Sequence, residues 1–229
     1  MLSSWGIAFE AVNVEDDPQA AAELKRRQVP LVPAVAVGEQ IVHGWNPPAL
    51  AALVGVPYSD RPQLSPPELA ARLDRILDAT QRALRPVPAE RLRTTAPDRD
   101  RTLGDIGYHI FRLSLGFRDA AREGRFPAAW LLEAAPAEMR DGVALARYGE
   151  TVRVQLSDWF AAHPGQPFSV VVQTYYGAQS LHALLERTSW HAAQHLRQVY
   201  ALLETVGLTP EQPLGARDYA GLPLPDSVW

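Results

Sequence analysis

The stretch that most constrains the fold lies near the end of the 229-residue sequence, where Leu181, Leu184, Leu185, Thr188, Leu196, Val199 and Leu203 recur at three- and four-residue steps. That period lays one apolar face along a helix. The expected helix runs from about Ala178 to Val206, with Gly207 as its C-cap. A helix this long and this one-sided is stable only when packed against others. Two histidines interrupt the apolar stripe. In W-H-A-A-Q-H-L-R-Q, His191 and His195 continue the series Leu184, Thr188, His191, His195, Val199, so both imidazoles occupy core positions.

Three further segments share the pattern. Ser65-Pro66-Pro67-Glu68 combines an N-cap serine, proline at the first helical position and a capping-box glutamate, followed by Leu69, Leu73, Ile76, Leu77 and Leu84 on one face. Thr102-Leu103-Gly104-Asp105 opens a second helix that runs to about Ala121, its stripe formed by Leu103, Ile106, Ile110, Leu113 and Phe117. Leu145, Tyr148, Val152, Leu156, Trp159 and Phe160 mark a third, closed by His163-Pro164-Gly165. Phe168–Tyr176 is β-branched and aromatic, which fits a strand or an extended loop. Four amphipathic helices predict a bundle.

The first fifty-odd residues follow a different rhythm of short elements. Ile7–Val14 reads as a strand and Pro18–Arg27 as a short helix started near Asp16 or Asp17. Ala34–Val37 and Gln40–Val42 read as a hairpin turned at Gly38-Glu39, and Asn46 caps a helix ending near Val54-Gly55. The expected organisation is an α/β segment over 1–55, a Pro-rich linker over 56–64, a helical domain over 65–207 and a Pro/Gly-rich tail over 208–229.

Composition excludes several function classes. The chain carries a net charge of −4 with acids and bases interspersed, so it offers no electrostatic footprint for nucleic acid or an anionic membrane. It has neither a membrane-length apolar run nor a basic start followed by one, and the expected location is cytoplasmic. It contains no cysteine, which removes thiolate ligands and dithiol exchange by these residues. Any thiol chemistry must use a thiol that these residues do not carry.

His109 takes an inward position too, between Ile106 and Leu113. Burying three imidazoles unsatisfied costs about 1–3 kcal/mol each, and a divalent metal would satisfy all of them in neutral form. The competing reading is three core histidines hydrogen-bonded to neighbours. Three neutral ligands leave an open coordination position, as catalytic metal sites do. Asp105 lies one turn before His109, and Glu186 and Arg187 about one turn before His191, so each is placed to orient a ligand, or else is solvated surface charge. His43, His163 and His182 read as solvated or structural.

The span from Ser65 to Val206, with Y-H-I-F-R around His109 and W-H-A-A-Q-H-L-R-Q on the last helix, resembles the DinB-like superfamily of four-helix bundles. The resemblance implies a mainly α chain with an up-down-down-up bundle. It also implies a divalent metal, often zinc or nickel, held by His109, His191 and His195. Characterised members of that superfamily include S-transferases and isomerases that use a low-molecular-weight thiol such as bacillithiol, mycothiol or glutathione.

The N-terminal segment resembles a glutaredoxin or thioredoxin-like domain. G-I-A-F-E-A-V-N-V is similar to the strand after that fold's first helix, and V-P-L-V-P-A-V-A-V-G to its cis-proline strand. Pro33 would be that cis-proline, which the resemblance makes the cofactor-binding position. The family's first strand and CxxC motif would precede Met1. Either the recorded start is internal to a longer chain, which the position of Met1 favours, or the domain has lost redox activity and recognises thiols or serves as structure.

Together these readings make the expected function a thiol-dependent S-transferase, its partners a small thiol and an electrophile, with self-association as a homodimer left open. A metal-dependent hydrolase using the same three ligands is the second reading. A non-catalytic stress-response or binding module is the third.

Overall fold

A computed structural model describes residues 1–2, 5–14, 16–29, 32–58, 64–97, 101–226 and 228. The chain is mainly helical and divides into two units, Met1–Pro62 and Gln63–Trp229. The linker expected at 56–64 falls largely on residues 59–63, outside the described set.

The N-terminal unit contains α1 (Pro18–Arg26), the antiparallel hairpin of β1 (Ala34–Val37) and β2 (Gln40–His43), and α2 (Pro47–Val54). Asp17 starts α1 by accepting from the backbone N–H groups of Gln19 and Ala20, and Asn46 starts α2 by accepting from Ala49. Both helices begin with proline, whose missing N–H costs nothing in the first turn. The strand expected at Ile7–Val14 does not form; the segment is irregular and mostly exposed. Alternating apolar residues make a strand only when a neighbour takes up the backbone hydrogen bonds, and β1 and β2 pair with each other alone.

The second unit is built on α3 (Pro66–Leu84), α4 (Leu103–Glu123), α5 (Gly142–Ala162) and α6 (Leu181–Thr205). Each begins at a polar cap. The carboxylate of Glu68 accepts from the N–H and hydroxyl of Ser65, and Asp105 and Thr102 form the reciprocal box at α4. Asp141 and Ser180 cap α5 and α6. The last helix starts three residues later than expected, because Gly177–Ser180 forms β5 and pairs with β4 (Val171–Thr174). A two-residue strand, β3 (Arg125–Phe126), lies parallel on the other edge of β4.

Specific contacts fix the helix directions. Arg153 of α5 bonds Asp74 and Asp78 of α3, while Gly142, at the start of α5, packs on the carbonyl of Leu84 at the end of α3, so α3 and α5 are antiparallel. Tyr108 stacks on Tyr148 and, further along both helices, Phe117 meets Trp159, so α4 and α5 are parallel. His182, in the first turn of α6, donates from Nε2 to the Leu64 carbonyl just before α3 at 2.9 Å. The small sheet joins the end of α4 to the start of α6, with the Gln173 N–H donating to Gly124 at the C-cap of α4. Thus α3 and α6 run one way and α4 and α5 the other.

The core fills the space between these four helices. Leu69, Leu73, Ile76, Ile110, Phe111, Phe117, Leu145 and Leu196 are all completely or almost completely buried. Each such side chain contributes roughly 1.5–3 kcal/mol of transfer free energy. Two glycines permit the close crossings of α5: a Cβ at Gly142 would stand 1.9 Å from the Leu84 carbonyl oxygen, and one at Gly149 would stand 2.4 Å from the Phe111 ring. The tail is not a loose appendage. It runs along α6, with Leu222 buried and the carbonyls of Pro223, Pro225 and Asp226 accepting from Trp190 and Arg197. Among the described residues, no helix is long and apolar enough to cross a membrane.

Candidate metal centre

The capping box of Thr102 and Asp105 sets the start of α4, which puts His109 in its second turn on the face that also carries Ile106 and Leu113. The antiparallel α6 brings His191 and His195 to the same level. His109 and His195 are buried and His191 is half-buried, and one ring nitrogen from each lies within 4.8 Å of those of the other two. The ring centroids are 4.4 Å apart for His191 and His195, 5.0 Å for His109 and His191, and 5.2 Å for His109 and His195.

Hydrogen bonding assigns the proton on His195. Its Nδ1 is 2.6 Å from Gln198 Oε1, and the Gln198 amide nitrogen donates to the Val228 carbonyl at 3.0 Å. With the amide oxygen turned to the ring, Nδ1 must be the donor, and Nε2 keeps its lone pair. That lone pair points toward His191, whose Nε2 is 3.1 Å away. Two nitrogens bound to one zinc at roughly 2.0–2.1 Å with a tetrahedral angle stand about 3.3 Å apart. The donor set therefore fits a divalent metal with neutral imidazole ligands, and small movements of the rings would complete the match.

Electrostatics favour the neutral rings. Burial first, and then electrostatic coupling to the neighbouring His195, hold both His109 and His191 well below the ordinary imidazole value. Arg101 and Arg187 act in the same direction on both. Metal ligation needs this uncharged form.

The remaining residues singled out from the sequence fall in different places. Asp105 is a helix cap, its hydrogen bonds going to Thr102 rather than to a histidine. Glu186 is half-buried on α6. Arg187 donates to the Tyr175 hydroxyl at 2.6 Å and lies over the Tyr176 ring at 4.5 Å, so its head group is turned to the β4–β5 turn and not onto a histidine ring. Pro33 belongs to the N-terminal unit, where the Val32–Pro33 peptide bond is cis and the side chain is exposed. His163 donates to the Trp159 carbonyl and His182 to that of Leu64, which are structural roles.

Sequence reasoning missed Gln198. Its position three residues after His195 on an otherwise apolar face was the available signal. It also left Gln194 unassigned; its amide donates to the same Val228 carbonyl at 2.8 Å. No sequence pattern announced that the tail would supply that carbonyl.

The glutaredoxin family model matches residues 1–42. The start of this chain is glutaredoxin-like. A search of curated proteins finds no match. The three histidines lie well outside the glutaredoxin-like segment, in the helical unit.

Proposed function

We propose that this protein is a metal-dependent, thiol-using S-transferase whose helical unit is a DinB-like four-helix bundle. The observation that carries the reading is the convergence of His109, His191 and His195 on one buried point, with the ligand tautomer of His195 set by Gln198. The helix order supports the bundle assignment, since α3 and α6 running against α4 and α5 is the up-down-down-up arrangement. The glutaredoxin-like segment supports a thiol as partner, and these residues, which contain no cysteine, do not supply it themselves.

In this reading the three imidazoles hold a divalent metal, zinc or nickel, without adding negative charge. When bound, it supplies a Lewis acid that favours the deprotonated form of a thiol beside it. The surrounding core excludes water from one side of the site, and Gln198 fixes the ring of His195. The thiol sulfur gives an electron pair to the electrophile, a C–S bond forms, the leaving group departs with the electrons of the broken bond, and the thiol proton passes to water.

Elemental analysis of protein purified without tag or chelator tests the first half. About one equivalent of a transition metal, lost in the His191→Ala/His195→Ala double variant, is the expected result. A screen of small thiols against electrophiles tests the second half. A metal-free wild type that refuses reloading sinks the assignment, and turnover that needs no thiol redirects it to hydrolysis.

A further inference from the structure

The electrostatics around the three histidines are lopsided. Arg112, on the same helix as His109, is buried but paired, donating to Glu133 at 2.6 Å and lying 3.5 Å from Asp119. Arg187, one turn before His191, has no such partner. Its guanidinium donates to the neutral hydroxyl of Tyr175 and lies over the rings of Tyr175 and Tyr176, and no carboxylate pairs with it among the described residues. The Tyr176 side chain beside it is 7% exposed, and its hydroxyl is buried without a hydrogen-bond partner. A half-buried cation and an unsatisfied buried hydroxyl each carry a cost that a ligand acceptor would remove.

The geometry points to a second recognition point in the proposed thiol site: Arg187, with the Tyr176 hydroxyl beside it, binds a carboxylate carried by the thiol. This rests on the reading of the three-histidine site as a thiol site. The charge balance agrees, because neutral imidazole ligands leave a divalent metal uncompensated, and the positive charges of Arg187 and Arg101 reach His109 and His191. Burial pushes the Tyr176 hydroxyl up to about 12, so it remains a donor at neutral pH. A guanidinium held against aromatic faces has lost little freedom to spare and can meet a carboxylate with two parallel hydrogen bonds. The ligand class is therefore a small thiol bearing a carboxylate, as opposed to a neutral thiol.

Cobalt(II)-loaded protein at pH 7 provides the test, with the thiolate-to-cobalt charge-transfer band as readout. It is titrated with 3-mercaptopropionate and with 3-mercapto-1-propanol, which have the same length and differ in charge. Wild type is expected to bind the carboxylate thiol about tenfold or more tightly, the usual scale of a hydrogen bond to a charged group. Arg187→Gln should erase that preference, and Arg187→Lys should restore part of it. Tyr176→Phe should lower the preference by a smaller factor, and it carries the test if Arg187→Gln does not hold cobalt. Equal binding of the two thiols by wild type, or a preference that survives Arg187→Gln, overturns this inference and leaves the thiol site standing. Failure to bind either thiol overturns both.

Discussion

The two units of this chain differ in what their apolar residues do. In the helical unit they interlock: the apolar stripes read from α3 to α6 end up buried, apart from Tyr148 and Phe160 on α5, which are half-buried. In the N-terminal unit α1 has no buried residue, and among the described residues the buried positions reduce to Trp45, Pro47 and Ala51. Phe9, Val12, Val32 and Val37 are each about half exposed. Yet the segment with the thinner core is the one a family model matches. A family match follows local sequence, whereas a core depends on whether periodic apolar faces find one another. The candidate chemistry lies where packing is dense, as a site that must hold three rings in register requires.

The largest expected effect is on this contrast in packing. Phe111→Ala removes a fully buried ring wedged between α4 and Gly149 and should cost about 3–5 kcal/mol. Phe9→Ala should cost under about 0.5 kcal/mol, because the ring it removes is largely in water already. Urea unfolding of both variants followed by far-UV circular dichroism checks the pair. Equal costs would mean that the N-terminal unit has a core as consequential as that of the helices.

The same contrast explains what was legible in the sequence. The four long helices could be read because a 3.6-residue period and an N-cap are local signals, and Ser65, Thr102 and Asn46 all cap where the pattern placed them. The inward direction of His109, His191 and His195 followed from the same period. What could not be read were facts that depend on remote partners. Ile7–Val14 has a strand's composition but no strand beside it. Ala178–Ser180 looked like the first turn of α6, but these residues belong to the strand that pairs with β4. The Val228 carbonyl reaches Gln198 across a separation of 30 residues along the chain, and no spacing rule spans that distance.

Gln198 gives the next effect. Gln198→Leu keeps the volume but takes away the acceptor that holds His195 Nδ1–H, so the ring can turn and present the wrong nitrogen. Zinc affinity, measured by chelator competition, should fall about 10- to 100-fold, while the urea midpoint of the metal-free protein should move little by comparison. Unchanged affinity would show that packing alone orients the ring.

Protons should act on the same site. The folded-state values of His109 and His191 lie below their ordinary 6.5, so below that pH the unfolded chain binds more protons than the folded one. The stability of the metal-free protein should therefore be fully present above about 6.5 and decline as pH falls from there toward the lowered folded values. Urea titrations at pH 8 and pH 5.5 should show the drop, and His109→Phe should shrink it. A wild type equally stable at both values would mean that the rings are not excluded from water as the geometry places them.

The smallest effect separates a helix cap from a ligand-orienting group. Asp105 sits one turn before His109, where sequence spacing alone permits either role. Its carboxylate accepts from Thr102 N–H at 3.0 Å and from the Thr102 hydroxyl at 2.6 Å, which ties it to the start of α4. Asp105→Ala should then cost about 1 kcal/mol in unfolding free energy, the usual value of a cap, and leave zinc affinity unchanged. Thr102→Ala should cost a similar amount, and the double variant little more than either alone, because each single change already breaks the reciprocal pair. A fall in zinc affinity with Asp105→Ala that Thr102→Ala does not reproduce would move Asp105 from the helix start to the metal site. It would also show that the first turn of α4 serves the chemistry directly as well as placing His109.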